Sequence, residues 1–159
     1  MVNIKSVKLG LEQTVKGSIL NVAGTYLTTS STTELGLTKL SLTGITIPSG
    51  GVMKFEASLR LSGGSGTAVA GDTFEIKVRQ TTALSGTIRA AWRYIVPSAN
   101  QASAYFSAIY IPSGGVSNQT FHISLQQIAG SGVLGLEGDL LSYFSISYIL
   151  TTSTWSVVT

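Results

Sequence analysis

The residue types that most often carry chemistry in proteins are scarce in this chain and lie apart. Its 159 residues include one histidine and no cysteine. His122 stands between Phe121 and Ile123, with no second histidine or cysteine to share a metal ion and no adjacent acid to orient it as a base. We therefore expect His122 to be a surface or interface residue, with a pH-sensitive contact as its one functional use.

Two pairs of acids and one glycine-rich segment are the remaining chemical candidates. Glu137 with Asp139, and Asp72 with Glu75, stand beside glycine-rich turns, and a calcium loop needs more oxygen ligands at regular spacing. Residues 130–135 match the pattern G-x-G-x-x-G, but no helical pattern follows to supply the phosphate site on which that motif depends. The sequence thus predicts no catalytic residue, no metal ligand and no cofactor, in a protein that is not an enzyme.

The composition excludes several classes of protein. Ser, Thr and Gly supply 59 of the 159 residues, whereas Asp, Glu, Lys and Arg supply 11%, against about 25% in an ordinary soluble domain. A hydrophobic content of 43% excludes an intrinsically disordered chain, and aperiodic glycines with three prolines exclude collagen. The length fits one domain with its own core.

Charge is distributed unevenly along the chain. All ten Lys and Arg residues lie at or before Arg93, and residues 94–159 carry only Glu137 and Asp139. A net charge of +3 without clustering predicts no nucleic-acid partner, and the lack of an apolar run of about 18 residues predicts no membrane insertion. So few charges protect a surface poorly against association. Either Ser and Thr solvate an outer sheet face, or the C-terminal half is buried in a homo-oligomer.

Alternating apolar and polar residues predict strands and no helix. From Val52 to Leu61 every second residue is apolar, and Asp72 to Thr82 repeats the pattern, as is typical of half-buried antiparallel strands. Further strands are predicted at residues 40–47, 88–96, 102–111, 120–128 and 140–151, with a short last one at 154–158. Such strands, separated by Gly and Ser loops, predict an all-β antiparallel sandwich of the jelly-roll type.

The sequence predicts the sandwich domain over residues 36–159 and a separate N-terminal segment over residues 1–35. Residues 25–33 are rich in Thr and Ser and prone to form strands, but they are only weakly amphipathic. Residues 1–35 form either an extended arm or edge strands added to a neighbour, or an ordinary first strand and loop of the sandwich.

The hexapeptide Ile-Pro-Ser-Gly-Gly-Val occurs twice, at residues 47–52 and 111–116. Proline ends a strand ladder and paired glycines allow positive φ. Each copy is therefore predicted to be a strand-ending turn, arising either from duplication of a half-sandwich or from independent use of the same turn chemistry.

Two late strands carry apolar residues on both faces, which a sandwich strand with one wet face should not do. The second faces carry Tyr105, Ile109, Tyr143 and Ile149. We predict that these four residues form an oligomer interface between copies of the chain, because cyclic symmetry is the usual way for identical chains to bury such a surface. The alternative is that they are scattered exposed apolar residues.

The order of strands and turns from Leu40 to Leu150 resembles a known family. The segments at residues 45–57 (ITIPSGGVMKFEA) and 141–148 (LSYFSISY) look like the trimeric jelly rolls of the tumour-necrosis-factor and complement-globular-head type. The likeness is to the small form found in bacteriophage virions as head decoration, head fibre or tail-tip proteins. It implies a homotrimer packed about its last strands.

This resemblance implies a non-enzymatic structural protein of a bacteriophage particle, a capsid decoration or stabilising protein or a head fibre. Its partners would be itself and the major capsid protein or tail proteins. It would be made in the host cytoplasm and lie on the virion surface. One alternative is a tail-tip module that recognises host surface glycans through exposed aromatics in Gly-rich loops, such as Trp92 to Tyr94 or the segment around Tyr105. The other is a cellular trimeric binding domain like the complement head.

Overall fold

The structure is a computed structural model that describes residues 12–19, 25–29, 32–62, 69–81, 84–97, 102–137 and 142–150. Within these ranges the regular elements are strands and one 3-10 turn, Thr38–Leu40. The strands are β1 Glu12–Ile19, β2 Thr25–Thr29, β3 Leu35–Gly36, β4 Leu42–Ile47, β5 Gly51–Ser62, β6 Thr73–Gln80, β7 Thr87–Ile95, β8 Ala102–Tyr110, β9 Val116–Ala129, β10 Leu134–Glu137 and β11 Tyr143–Leu150.

The longer strands pair in a nested order, from the two ends of the described chain inward. β1 pairs with β11, β4 with β9, β5 with β8, and β6 with β7, all antiparallel. Pairing of β11 with β5 and of β9 with β6 joins these pairs into two sheets. Nested pairing of eight strands across two antiparallel sheets is the arrangement of a jelly roll. The structure therefore confirms the predicted all-β sandwich.

The two sheets place β7 and β8 at edges. In sheet A, β8 lies along one side of β5, while β11 and β10 lie along the other side and pair in turn with β1 and β2. In sheet B, β7 pairs with β6, β6 with β9, and β9 with β4 and β3. Among the described strands, β8 and β7 thus each have one edge without a strand partner.

The core lies between the sheets, and it follows the alternation of the sequence. The apolar residues of β5 at alternate positions are all buried, as are Phe74, Ile76 and Val78 of β6. The Phe55 ring lies 5.5 Å from Phe121 and 6.5 Å from Phe144, measured between ring centroids. Burying one such side chain contributes about 1.5 to 3 kcal/mol. This row of rings therefore supplies much of the adhesion between the sheets.

Both copies of the repeated hexapeptide are turns between strands, as predicted. The first copy leads from β4 into β5, with Gly50 at φ +79 and the Gly51 amide donating to the Pro48 carbonyl at 3.2 Å. The second copy leads from β8 into β9. The two copies also touch, because Ile47 is the register partner of Val116.

The sequence analysis missed two short strands. β3 and β10 were not predicted, and β9 begins at Val116 rather than at residue 120. β1 and β2 fall within residues 1–35, for which edge strands added to a neighbour and an ordinary first strand were two of the alternatives. Within residues 1–35, β1 and β2 pair with β11 and β10 in sheet A. The last predicted strand, at residues 154–158, lies outside the described residues. No helix in the described part of the chain is long and apolar enough to cross a membrane.

Candidate functional site

The residues predicted to form an interface lie on one face of sheet A. Tyr105 on β8 and Tyr143 on β11 are both register partners of Ser58 on β5. Directly opposed residues of neighbouring strands point to the same side of a sheet. The adjacent row, Phe106, Ala57 and Phe144, is buried in the core. The tyrosines therefore point away from the core, and Ile109 and Ile149 share their face by alternation; we call it the outer face of sheet A.

The exposure of this face increases toward the β8 edge. Tyr143 and Ile149 are half-buried, since β11 has neighbours on both sides. On β8 the exposed fraction is 58% for Tyr105 and 57% for Ile109. Ile111, just after β8, continues the alternation at 46% exposed. We call Tyr105, Ile109 and Ile111 the β8 stripe; Ile111 was not among the predicted site residues, although the same period of two would have identified it.

A charged row runs through the same face, which the sequence analysis did not anticipate. Lys54 and Glu56 on β5 lie between β8 and β11, with Lys54 Nζ 3.0 Å from Glu56 Oε1. The Tyr105 hydroxyl donates to Glu56 Oε1. This bond lowers the pKa of Glu56, outweighing its partial burial, and Lys54 lowers that pKa further. The same bond raises the pKa of Tyr105. The face therefore combines an apolar stripe with an ion pair that one of its own tyrosines orients.

Trp92 protects the open edge of β8. Its indole Nε1 donates to the Ser107 carbonyl at 3.2 Å, and its ring lies 5.4 Å from the Phe106 ring. A side-chain donor on an edge carbonyl makes that edge less available to another strand. Trp92 and Tyr94 are partly buried within β7 and pack against the core. The expectation that they are exposed loop aromatics is therefore wrong, and Tyr105 likewise lies on a strand.

A second cluster of charges lies on the outer face of sheet B. Glu34 accepts from Arg79 twice, at 2.6 Å from Nε to Oε1 and 2.7 Å from Nη2 to Oε2, and it also accepts from Lys77 and Ser124. Burial alone would raise the pKa of Glu34, but these donors outweigh it and hold the pKa at about 2. Lys77 is buried although its strand pattern predicted an outward, solvated side chain, because Glu34 covers it. This cluster fastens the segment before β3 to β6.

The other residues singled out in the sequence have structural contacts. His122 is half-buried, and its Nδ1 lies 2.7 Å from the Ser41 hydroxyl. The buried Asp72 accepts from the backbone amides of Ser131 and Gly132 at 3.3 and 2.6 Å. It therefore orders the glycine-rich loop, which leads into strand β10 as a loop rather than into a helix.

Among the residues that the structure describes, no group of three or more His, Cys, Asp or Glu side chains is placed to hold a metal ion. Asp139, the other member of the acidic pair with Glu137, lies outside the described ranges.

Comparisons with known proteins give the fold and no family. No protein-family model and no curated protein matches the chain. The structure is similar to dimeric latent PorU from Porphyromonas gingivalis, with a TM-score of 0.51 and 9% identity over 87% of this chain. It also matches the VP2 subviral particle of infectious bursal disease virus (TM-score 0.45, 11% identity, 87% of this chain). A third match is a CBM4 structure (TM-score 0.40, 8% identity, 84% of this chain).

These likenesses concern the β-sandwich alone. The chain spans 13% of the PorU chain, 38% of the VP2 chain and 89% of the CBM4 chain. At such identities the matches do not show membership of the trimeric jelly-roll family that the sequence resembles. A shared fold does not establish a function, so the evidence for function comes from the surface of the sandwich.

Proposed function

We propose that this protein is a non-enzymatic structural component of a bacteriophage particle that assembles as a homotrimer through the outer face of sheet A. The observation that carries the proposal is the β8 stripe: Tyr105 and Ile109 on the edge strand and Ile111 just after it share one face, with Ser107 between the first two, and each is between 46% and 58% exposed. Large exposed apolar side chains grouped on one face mark interaction sites. Ser58, Ser107 and Ser145 on the same face are small and allow a neighbouring sheet to approach closely.

The ion pair on this face is compatible with a second copy of the chain. Glu56 and Lys54 compensate each other within one copy. A second copy can therefore cover this pair without leaving either of the two charges unpaired. Arg60, two positions beyond Ser58 on the same face of β5, is a further charge that such packing has to accommodate. Cyclic symmetry would bring three such faces together around one axis.

The assignment to a virion surface is supported by the jelly-roll pairing and by the sequence resemblance to small phage decoration and fibre proteins. In this role the trimer contacts the major capsid protein or tail proteins and reinforces the particle.

The test has two parts. Sedimentation velocity at micromolar concentration should give a species of about three times the chain mass of 16.6 kDa. Immunogold labelling of particles purified from an infected culture should place many copies on the head. A monomer in sedimentation would overturn the trimer, and unlabelled particles would overturn the virion role.

A further inference from the structure

A polar cleft opens at one end of the sandwich, away from the outer face of sheet A. It has a volume of about 260 Å³. Sheet A contributes Tyr110 to its lining, and sheet B contributes Gln80, Arg89 and Gln119. The turn formed by the second hexapeptide supplies most of the remaining lining. Nothing in the proposed structural role requires this cleft.

Arg89 reaches the cleft because of a β-bulge. The register between β6 and β7 pairs Val78 with Ala90 and then Arg79 with Ile88, so Arg89 is the extra residue. A bulge redirects the side chain that it carries, and bulges are frequent beside functional sites.

The backbone is irregular at two more points, each next in sequence to a lining residue. Thr81, which follows Gln80, has φ +83, and Asn118, between Ser117 and Gln119, has φ +49. A β-branched residue at positive φ is strained, and such strain concentrates at binding sites. Three local departures from regular strand geometry therefore surround one cleft.

The guanidinium of Arg89 is held rigidly. Its Cζ lies 4.7 Å from the centroid of the Tyr110 ring, and that ring stacks on Phe55 at 6.3 Å with an interplanar angle of 10°. Arg89 Nε donates to Gln80 Oε1 at 2.6 Å. A cation over an aromatic ring with one hydrogen bond already made loses little further freedom when it binds a ligand.

The side-chain hydrogen bonds along the cleft wall occupy the amide oxygens of Gln80 and Gln119 and leave donor groups of Arg89 available. Arg89 donates to Gln80, Gln80 Nε2 donates to Gln119 Oε1 at 3.3 Å, and Gln119 Nε2 donates to the Ser117 carbonyl at 3.0 Å. The two Nη groups of Arg89 have no partner among the described residues. The described lining contains no acidic side chain. The cleft is therefore ready to donate to an anion.

We propose that this cleft binds the carboxylate of an acidic sugar residue. The planar fork of a guanidinium matches a carboxylate with two parallel hydrogen bonds. The hydroxyls of Ser113 and Ser117 beside it suit the hydroxyls of a saccharide. A volume just below that of a drug-sized pocket holds one such unit. The Tyr110 ring, occupied by Arg89 and Phe55, makes no stacking platform, so the carboxylate is the main determinant of recognition.

The test is an amide NMR titration of the full chain with sodium glucuronate, glucose and sodium acetate in parallel. Glucuronate should shift the amide signals of residues 113–119 and bind at least about tenfold more tightly than glucose or acetate. Arg89→Gln should weaken glucuronate binding by about tenfold or more. Arg93→Gln, on the same strand but exposed, should leave the binding unchanged.

Arg89→Lys is the control for an effect on the folded structure itself. It keeps a cation near Tyr110 and should retain the wild-type unfolding temperature, but it cannot make the paired hydrogen bonds and should also bind glucuronate more weakly. Unchanged affinity in both Arg89 variants would overturn the site. Acetate binding as tightly as glucuronate would overturn the saccharide assignment, since it would show a bare anion site.

Discussion

Tyr105 and Tyr143 lie opposite the same residue, Ser58, one on each side of strand β5. Two strands that are 38 residues apart in sequence at this row thereby place their rings on one surface, with a small side chain between them. The pair spans strands β8, β5 and β11 on the outer face of sheet A. It also makes that face a better candidate for self-association than any single apolar residue would be.

Replacing Tyr143 with Asp should dissociate the oligomer and leave the sandwich folded. The side chain points away from the core, in which the neighbouring residue Phe144 is fully buried, and it is half-buried in a single copy. The new charge therefore costs most where a second copy covers it completely. Sedimentation velocity and thermal unfolding of the same sample would show both effects. An oligomer of unchanged mass would place the interface elsewhere.

Glu34 should make the protein sensitive to acid. Its pKa is about 2 in the folded chain and 4.5 as an ordinary carboxyl. A group with a depressed folded pKa contributes stability that is fully present above pH 4.5 and is lost as the pH falls toward 2. Glu34→Gln should cost on the order of 2 kcal/mol at pH 7, as for hydrogen bonds to a charged group.

The difference in unfolding free energy between wild type and Glu34→Gln should shrink across that acid range, as measured by urea unfolding at several pH values. Glu75→Gln is the matched control, because Glu75 pairs with the same Lys77 at 2.9 Å but is more exposed. Its cost at pH 7 should stay within about 1 kcal/mol. Equal losses for the two variants would show that the Arg79 pairing of Glu34 adds nothing.

Gly130→Ala should be among the most destabilising single substitutions outside the core. Gly130 has φ +102, and a Cβ there would overlap the Asp72 carboxylate that holds the Ser131 and Gly132 amides. Gly50→Ala measures the cost of the backbone conformation alone, because Gly50 has φ +79 and an added Cβ would meet nothing within 4 Å. We expect about 1 to 2 kcal/mol for Gly50→Ala and a clearly larger loss for Gly130→Ala in thermal unfolding. Similar losses would show that the Asp72 contact is unimportant.

Tyr105→Phe should raise the pKa of Glu56 toward its ordinary value. The hydroxyl bond is the main cause that lowers the pKa of Glu56, and Phe keeps the ring while removing that bond. Carbon-detected NMR titration of the Glu56 carboxyl measures this directly. Tyr148→Phe, a tyrosine on the core-facing side of β11, should leave the pKa of Glu56 unchanged.

The strands with one buried and one solvent-exposed face could be predicted from the sequence. β5 and β6 alternate over eight residues or more, and their buried apolar positions agree with the pattern, with Lys77 of β6 the buried exception. β3 and β10 are two and four residues long, too short for a period to show. In β1, Gln13 and Lys16 are the register partners of Tyr148 and Ile146 on the core-facing row of β11, positions that a half-buried strand would fill with apolar residues.

The site was predicted only in part, because it depends on contacts between distant segments. Alternation predicted the outward direction of Tyr105 and Ile109, but only the strand register places Lys54 opposite Ile109 and Glu56 opposite Ser107. The burial of Lys77 depends on Glu34, 43 residues earlier. The cleft around Arg89 arises from a register shift that leaves no mark in the local sequence.

The most direct test of self-association through the outer face of sheet A compares two equally exposed isoleucines on the two edge strands. Ile109 on β8 is 57% exposed and Ile95 on β7 is 59% exposed. In a monomer, Ile109→Asp and Ile95→Asp therefore each place a carboxylate at an almost equally exposed position of an edge strand. In sedimentation velocity at micromolar concentration we expect Ile109→Asp to run as a folded monomer and Ile95→Asp to keep the wild-type trimer mass. A trimer of Ile109→Asp, or dissociation by Ile95→Asp alone, would contradict the account.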